Sequence, residues 1–188
     1  FSTTCPCGVT SFSFSMVGAT SVVDLVVNLA VVLDGSGSVL AENFLVEKEF
    51  AKNITAAFAD LNLFANGGTA SYVQFSSDVD SDDTGTFYSL EDFNDFVDAN
   101  DYIGGGTDID AGISEARVLL NAAPSASAAY MIVLTDGIST IGNESDEARA
   151  DGITLYAVGV GSSVSDDILL AIAGSEDNVF SVDDFEDL

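Results

Sequence analysis

The stretch VVLDGSGSVLAENF, Val31 to Phe44, passes in one step from apolar to small and polar residues. Ala30 and Val31–Leu33 have the continuous apolar character of a strand covered on both faces. Asp34 ends that run, and Gly35, Ser36, Gly37 and Ser38 follow it. Beyond them, Phe44, Phe50, Ala51, Ile54, Ala57, Phe58 and Leu61 recur at helical spacing. A flexible linker would not stand between a buried strand and a long amphipathic helix. A phosphate-binding loop would need Gly-Lys-Ser/Thr, and no Lys follows Ser38. What remains is a strand end that presents one carboxylate and two hydroxyls, with glycines that let the backbone turn tightly.

The same grammar continues along the chain. Strands are expected at Asp24–Leu33, Ala70–Phe75, Thr86–Leu90, Ala129–Thr135, Thr154–Val160 and Val179–Val182. Helices are expected at Leu40–Phe64, Glu91–Val97, Ile109–Leu120, Ser145–Ala150 and Ser165–Ile172. Alternating strands and helices imply right-handed crossovers and an α/β fold, a doubly wound, mostly parallel sheet with helices on both faces. At the amino end, Phe12, Phe14 and Met16 alternate with Ser, which predicts an extra strand beside Asp24–Leu33.

In sheets of this kind, ligands bind beyond the carboxyl ends of the strands. Besides Asp34-x-Ser36-x-Ser38, two more loops end in suitable groups: Gly104-Gly105-Gly106-Thr107 and Thr135-Asp136-Gly137. Asp34, Ser36, Ser38, Thr107 and Asp136 together offer only oxygen, which suits a hard cation. Mg²⁺ is the first choice, with Ca²⁺ or Mn²⁺ as alternatives. A second set, Asp78, Asp80 and Asp82 in Ser77–Asp83, has the spacing of a calcium loop but lacks its glycine and its terminal Glu. It reads first as a solvated acidic loop.

Composition bounds the function. The chain has 188 residues, enough for one domain with a good core. It carries 31 Asp plus Glu against 4 Lys plus Arg, a formal charge of -27. Phosphates would be repelled, so nucleic acid and anionic membranes are not expected partners. There is no His, which removes Ser-His-Asp and Cys-His catalysis, and the chain is not expected to be an enzyme. No apolar run is long enough to span a bilayer. Phe1 opens the sequence with no basic, apolar leader behind it, so any signal peptide has been removed or lies outside it. Cys5 and Cys7 flank Pro6. A bridge between them would close a strained ring, so bonds outside the chain are favoured. Asn53-Ile54-Thr55 and Asn143-Glu144-Ser145 are glycosylation sequons, as in secreted proteins.

From about Asn28 to Leu188 the sequence resembles a von Willebrand factor type A domain, related to the inserted domains of integrin alpha chains. The resemblance rests on LDGSGSV at Leu33–Val39, YVQFSSDV at Tyr72–Val79, GGGTDIDAGI at Gly104–Ile113 and VLTDG at Val133–Gly137. It continues through YAVGVG at Tyr156–Gly161, LLAIAG at Leu169–Gly174 and NVFSVDDFEDL at Asn178–Leu188. It implies a Rossmann-like fold over residues 28–188 behind an extension at 1–27. It also implies a metal ion-dependent adhesion site made of Asp34, Ser36, Ser38, Thr107 and Asp136. The function implied is extracellular or cell-surface adhesion, with a protein or matrix partner donating an acidic side chain to the metal. The alternative is a structural, self-assembling subunit of a filament or matrix. Two features depart from the pattern. Asp108 and Asp110 add charge after Thr107, and the last helix, expected from near Asp183, stops at Leu188.

Overall fold

In a computed structural model, the described residues are 25–137, 139 and 141–188. The elements are β1 (Val27–Asp34), α1 (Ala41–Asp60), β2 (Thr69–Phe75), β3 (Thr84–Phe87), α2 (Leu90–Ala99) and α3 (Ile109–Ala122). After them come β4 (Ala128–Thr135), α4 (Glu144–Ala150), β5 (Ile153–Val160), α5 (Asp166–Ala173) and β6 (Val179–Val182). They build one sheet in the order β3-β2-β1-β4-β5-β6. Among the described strands, only β3 runs antiparallel, paired with β2.

The apolar runs of β1 and β4 form the middle of the sheet because both of their faces are covered. Leu29, Val31 and Leu33 face one cluster with Phe44, Phe50 and Phe58 of α1 and Phe93 and Val97 of α2. Ala30 and Val32 face the other, with Ile109, Ile113 and Ala116 of α3 and Leu169 and Ile172 of α5. Each aliphatic side chain so buried contributes about 1.5–3 kcal/mol.

The chain leaves β1 for β2 on one side and later returns to β4 on the other. The switch point therefore lies between the carboxyl ends of β1 and β4. Ser89 caps α2 through Asp92 N at 3.1 Å, and Asp108 caps α3 through Ala111 N at 3.1 Å. By contrast, α1 starts without a side-chain cap, from Leu40 at φ 67°.

Two expectations need correction. Both edges of β1 are occupied, by β2 over Asn28–Asp34 and by β4 over Val27–Leu33, so no added strand fits beside it there. Phe12, Phe14 and Met16 themselves lie outside the described residues, as do Cys5 and Cys7. The last segment forms a single 3-10 turn, Phe185–Asp187, with Phe185 and Leu188 packed on the α1 side of the core. No helix among the described residues is long and apolar enough to cross a membrane.

Candidate metal centre

Asp34 is the last residue of β1 and is fully buried. Its Oδ1 accepts from the Ser36 amide at 2.9 Å, and its Oδ2 accepts from Thr135 Oγ1 at 2.5 Å. These bonds fix the carboxylate across the β1–β4 crevice. Ser36 is buried and Ser38 exposed, with their Oγ atoms 3.1 Å apart. Ser38 Oγ donates to Asp136 Oδ1 at 2.8 Å, so the β1 loop and the β4 loop are joined by side chains. Thr107 completes the group: a Cβ built on Gly137 would stand 3.3 Å from Thr107 Oγ1 and 3.6 Å from Asp34 Oδ2. The sequence-derived residues thus converge at one end of the sheet, with Ser38 open to solvent.

The glycines make the convergence sterically feasible. A Cβ on Gly35 would collide with the Gln74 side-chain amide. Gly105, at φ 111°, lets its carbonyl accept from Gly37 N at 2.9 Å, while Gly104 N donates to Gly35 O at 2.8 Å. Tyr102 Oη anchors the first loop through Ser36 O at 2.8 Å. Ser76 holds the glycine loop from below, donating to Gly104 O and, at 3.3 Å, to Gly106 O. Gln74, Ser76 and Tyr102 were not recognised from sequence as supports. Each is polar where the strand or loop pattern would accept an apolar side chain.

Burial pushes the Asp34 carboxyl above its ordinary range, with the Ser36 and Thr135 bonds opposing and Asp136 adding to the rise. Burial also raises Asp136, against the Ser38 bond. The extra acids after Thr107 are committed elsewhere: Asp108 caps α3, and Asp110 Oδ2 accepts from Gly142 N at 2.5 Å. The acidic loop does not gather its carboxylates. Asp78 Oδ1 accepts from Val79 N and Asp80 Oδ1 from Asp82 N. Among the described residues, no three acidic, Cys or His side chains close on one point. Asn53 and Asn143 are both exposed.

The von Willebrand factor type A domain model matches residues 28–188. The chain belongs to the von Willebrand factor type A family. It is 35% identical over 163 residues to the collagen alpha-1(XXI) chain of Xenopus laevis, covering 84% of this chain and 17% of the relative. It is 30% identical over 168 residues to cochlin of Cavia porcellus, covering 86% of this chain and 30% of the relative. The chain therefore spans less than a third of the length of either relative. Among solved structures, it resembles proximal thread matrix protein 1 of the mussel byssus with a zinc-occupied metal ion-dependent adhesion site. That likeness has a TM-score of 0.73 at 25% identity and covers 86% of this chain and 45% of the other.

Proposed function

We propose that this type A domain is an extracellular protein-binding module that engages its partner through a divalent cation held by Asp34, Ser36, Ser38, Thr107 and Asp136. The observation that carries the reading is the linked set itself: two carboxylates from neighbouring strand ends, joined through Ser36 and Ser38, with Thr107 beside them. Neutral hydroxyl ligands leave the cation much of its charge, so an acidic side chain from a partner suits its remaining position. Mg²⁺ fits the oxygen set, while the zinc in the mussel protein supports a divalent ion more generally. The matched relatives are matrix proteins, which agrees with an extracellular location and with exposed sequons at Asn53 and Asn143.

The charge of -27 repels an acidic partner, but through water, where screening acts within about 8 Å at physiological salt. The metal contact acts at about 2 Å. Binding to immobilised matrix protein is therefore expected to need Mg²⁺ at every salt concentration and to associate faster as NaCl rises. Chelation, or Ser36→Ala combined with Ser38→Ala, should release the partner. A second reading, a self-assembling matrix subunit, is favoured by the likeness to a thread matrix protein. Assemblies that survive both treatments would select it.

A further inference from the structure

Glu47 is fully buried on α1, one turn after Phe44 on the face that packs against the sheet. Neither of its carboxyl oxygens meets a hydrogen-bond donor. Asp34 and Asp136 both disfavour its ionised form, and the nearby Asp34 backbone opposes this only in part, without a formed hydrogen bond. Burying a carboxyl beside two others is costly, and an aliphatic side chain of similar size would fill the space without that penalty.

No side-chain cation of the protein can relieve it. The chain has 4 Lys plus Arg, and all are engaged elsewhere. Lys48 Nζ donates to Asp98 O and Asn100 O, and Lys52 pairs with Glu49 and Asp98. Arg117 pairs with Glu144, Glu147 and Asp151, and Arg149 with Asp146. The one positive charge that belongs near Glu47 is the cation held by Asp34 and Asp136.

We infer that Glu47 is a positioning residue for this cation, a buried third carboxylate that stands behind Asp34 and Asp136 and strengthens divalent binding without ligating the ion directly. Direct ligation is not supported, since no three acidic side chains close on one point among the described residues. Its charge would act on the bound ion across the Asp34 backbone, in a buried interior where electrostatic fields are weakly screened. Groups so placed typically change metal affinity by about 10–100-fold. The inference rests on the metal-binding reading above.

The test uses the whole chain with Glu47→Gln, which keeps the shape and removes the charge, and Glu47→Met, which fills the space with apolar atoms. Mg²⁺ and Ca²⁺ affinities are measured by titration calorimetry, and metal-free melting by circular dichroism. Both variants should melt at or above the parent in EDTA and bind Mg²⁺ at least tenfold more weakly. A merely structural Glu47 would shift melting and leave the affinity alone. Parent-like Mg²⁺ affinity in either variant overturns the inference. So does failure of both variants to fold without metal, because Glu47 would then be needed by the fold itself. If the parent binds no divalent ion, the metal site falls first and this inference with it. Weaker binding in the variants alone upholds both.

Discussion

The acids around Arg117 and the acids around Asp34 gather negative charge in opposite ways. On the α3–α4 surface, Arg117 Nε donates to Asp151 at 2.7 Å and its Nη1 to Glu147 at 2.5 Å. Asn121 adds a bond to Asp151 at 2.9 Å. The Arg117 bond holds Asp151 below the ordinary carboxylate range, while Asp151 pushes Arg117 up. At the carboxyl ends of β1 and β4, burial instead pushes Asp34, Asp136 and Glu47 above their ordinary range. Asp34 and Asp136 accept from hydroxyls and an amide, Glu47 meets no donor, and none of the three pairs with a cationic side chain. The first cluster is electrostatically complete within the chain. The second has no countercharge within the chain, which is what the proposed cation site requires.

The largest effect should separate the two clusters through metal. Mg²⁺ at a hundredfold excess over its Kd stabilises by about 2.7 kcal/mol. For a domain of this size that is roughly 5–11 °C in Tm, at about 2–4 °C per kcal/mol. Asp136→Ala should abolish the whole Mg²⁺-dependent rise in a thermal shift assay. Arg117→Ala should leave the rise intact. An unchanged rise in Asp136→Ala would move the metal away from this end of the sheet.

A smaller effect concerns strain at the same end. Leu40 holds φ 67° and ψ 149°, outside the regions that side-chain-bearing residues favour, and is 51% exposed. Such a conformation costs about 1–3 kcal/mol, part of which glycine would return through its freer unfolded chain. Leu40→Gly should therefore stabilise the metal-free domain by about 1 kcal/mol in urea unfolding. Asn62, at φ 69°, is a residue that tolerates this region, and Asn62→Gly should change little. Destabilisation by Leu40→Gly would mean that Leu40 packs more usefully than its exposure suggests.

These residues also show where sequence reading succeeds and stops. The meeting of Asp34, Ser36, Ser38, Thr107 and Asp136 at one end of the sheet was legible because each stands at a strand end or in a glycine loop, and parallel topology brings such ends together. Glu47 was not, because the helical spacing of Phe44, Ala51 and Phe58 draws attention to the apolar residues. The signal was the acid lying three residues after Phe44 and four before Ala51, inside the buried stripe. The alternation of Phe12, Phe14 and Met16 with Ser predicts a strand but not which edge is free. Strand neighbours depend on crossovers far along the chain, and here β4 took the edge. The extra acids after Thr107 looked like site charges, yet Asp108 serves the first turn of α3.

The pH dependence sharpens the contrast by sign. Asp34, Asp136 and Glu47 have folded-state pKa values raised above the unfolded ones, so their protonated forms favour folding. That contribution is full below the unfolded carboxyl range and is lost as pH rises through the raised values. Asp151 is depressed, so its contribution is present above the ordinary range and lost as pH falls through the lowered value. In EDTA, stability should decline from mildly acid to neutral pH, and Glu47→Gln should flatten that decline. Saturating Mg²⁺ should flatten it in the parent, because the cation favours the ionised site. Metal-free stability that rises over the same interval, and is unaffected by Glu47→Gln, would contradict the reading of the buried acids.

The smallest effect belongs to Arg117. Its partners Glu147 and Asp151 are 43% and 33% exposed, so water and salt screen these pairs. Arg117→Gln keeps some hydrogen bonding and removes the charge. It leaves Glu144, Glu147 and Asp151 facing one another without a countercharge, in a chain already at -27. The loss should therefore come mainly from repulsion among the remaining acids, and repulsion through water is screenable. Tm should fall slightly at low ionic strength, and most of the difference should vanish at about 1 M NaCl, where the screening length is about 3 Å. Mg²⁺ should stabilise this variant as much as the parent. A deficit that persists in high salt would show Arg117 acting through packing of its aliphatic stem. A deficit that Mg²⁺ removes selectively would place a cation among these acids too, and the distinction between the two clusters would fail.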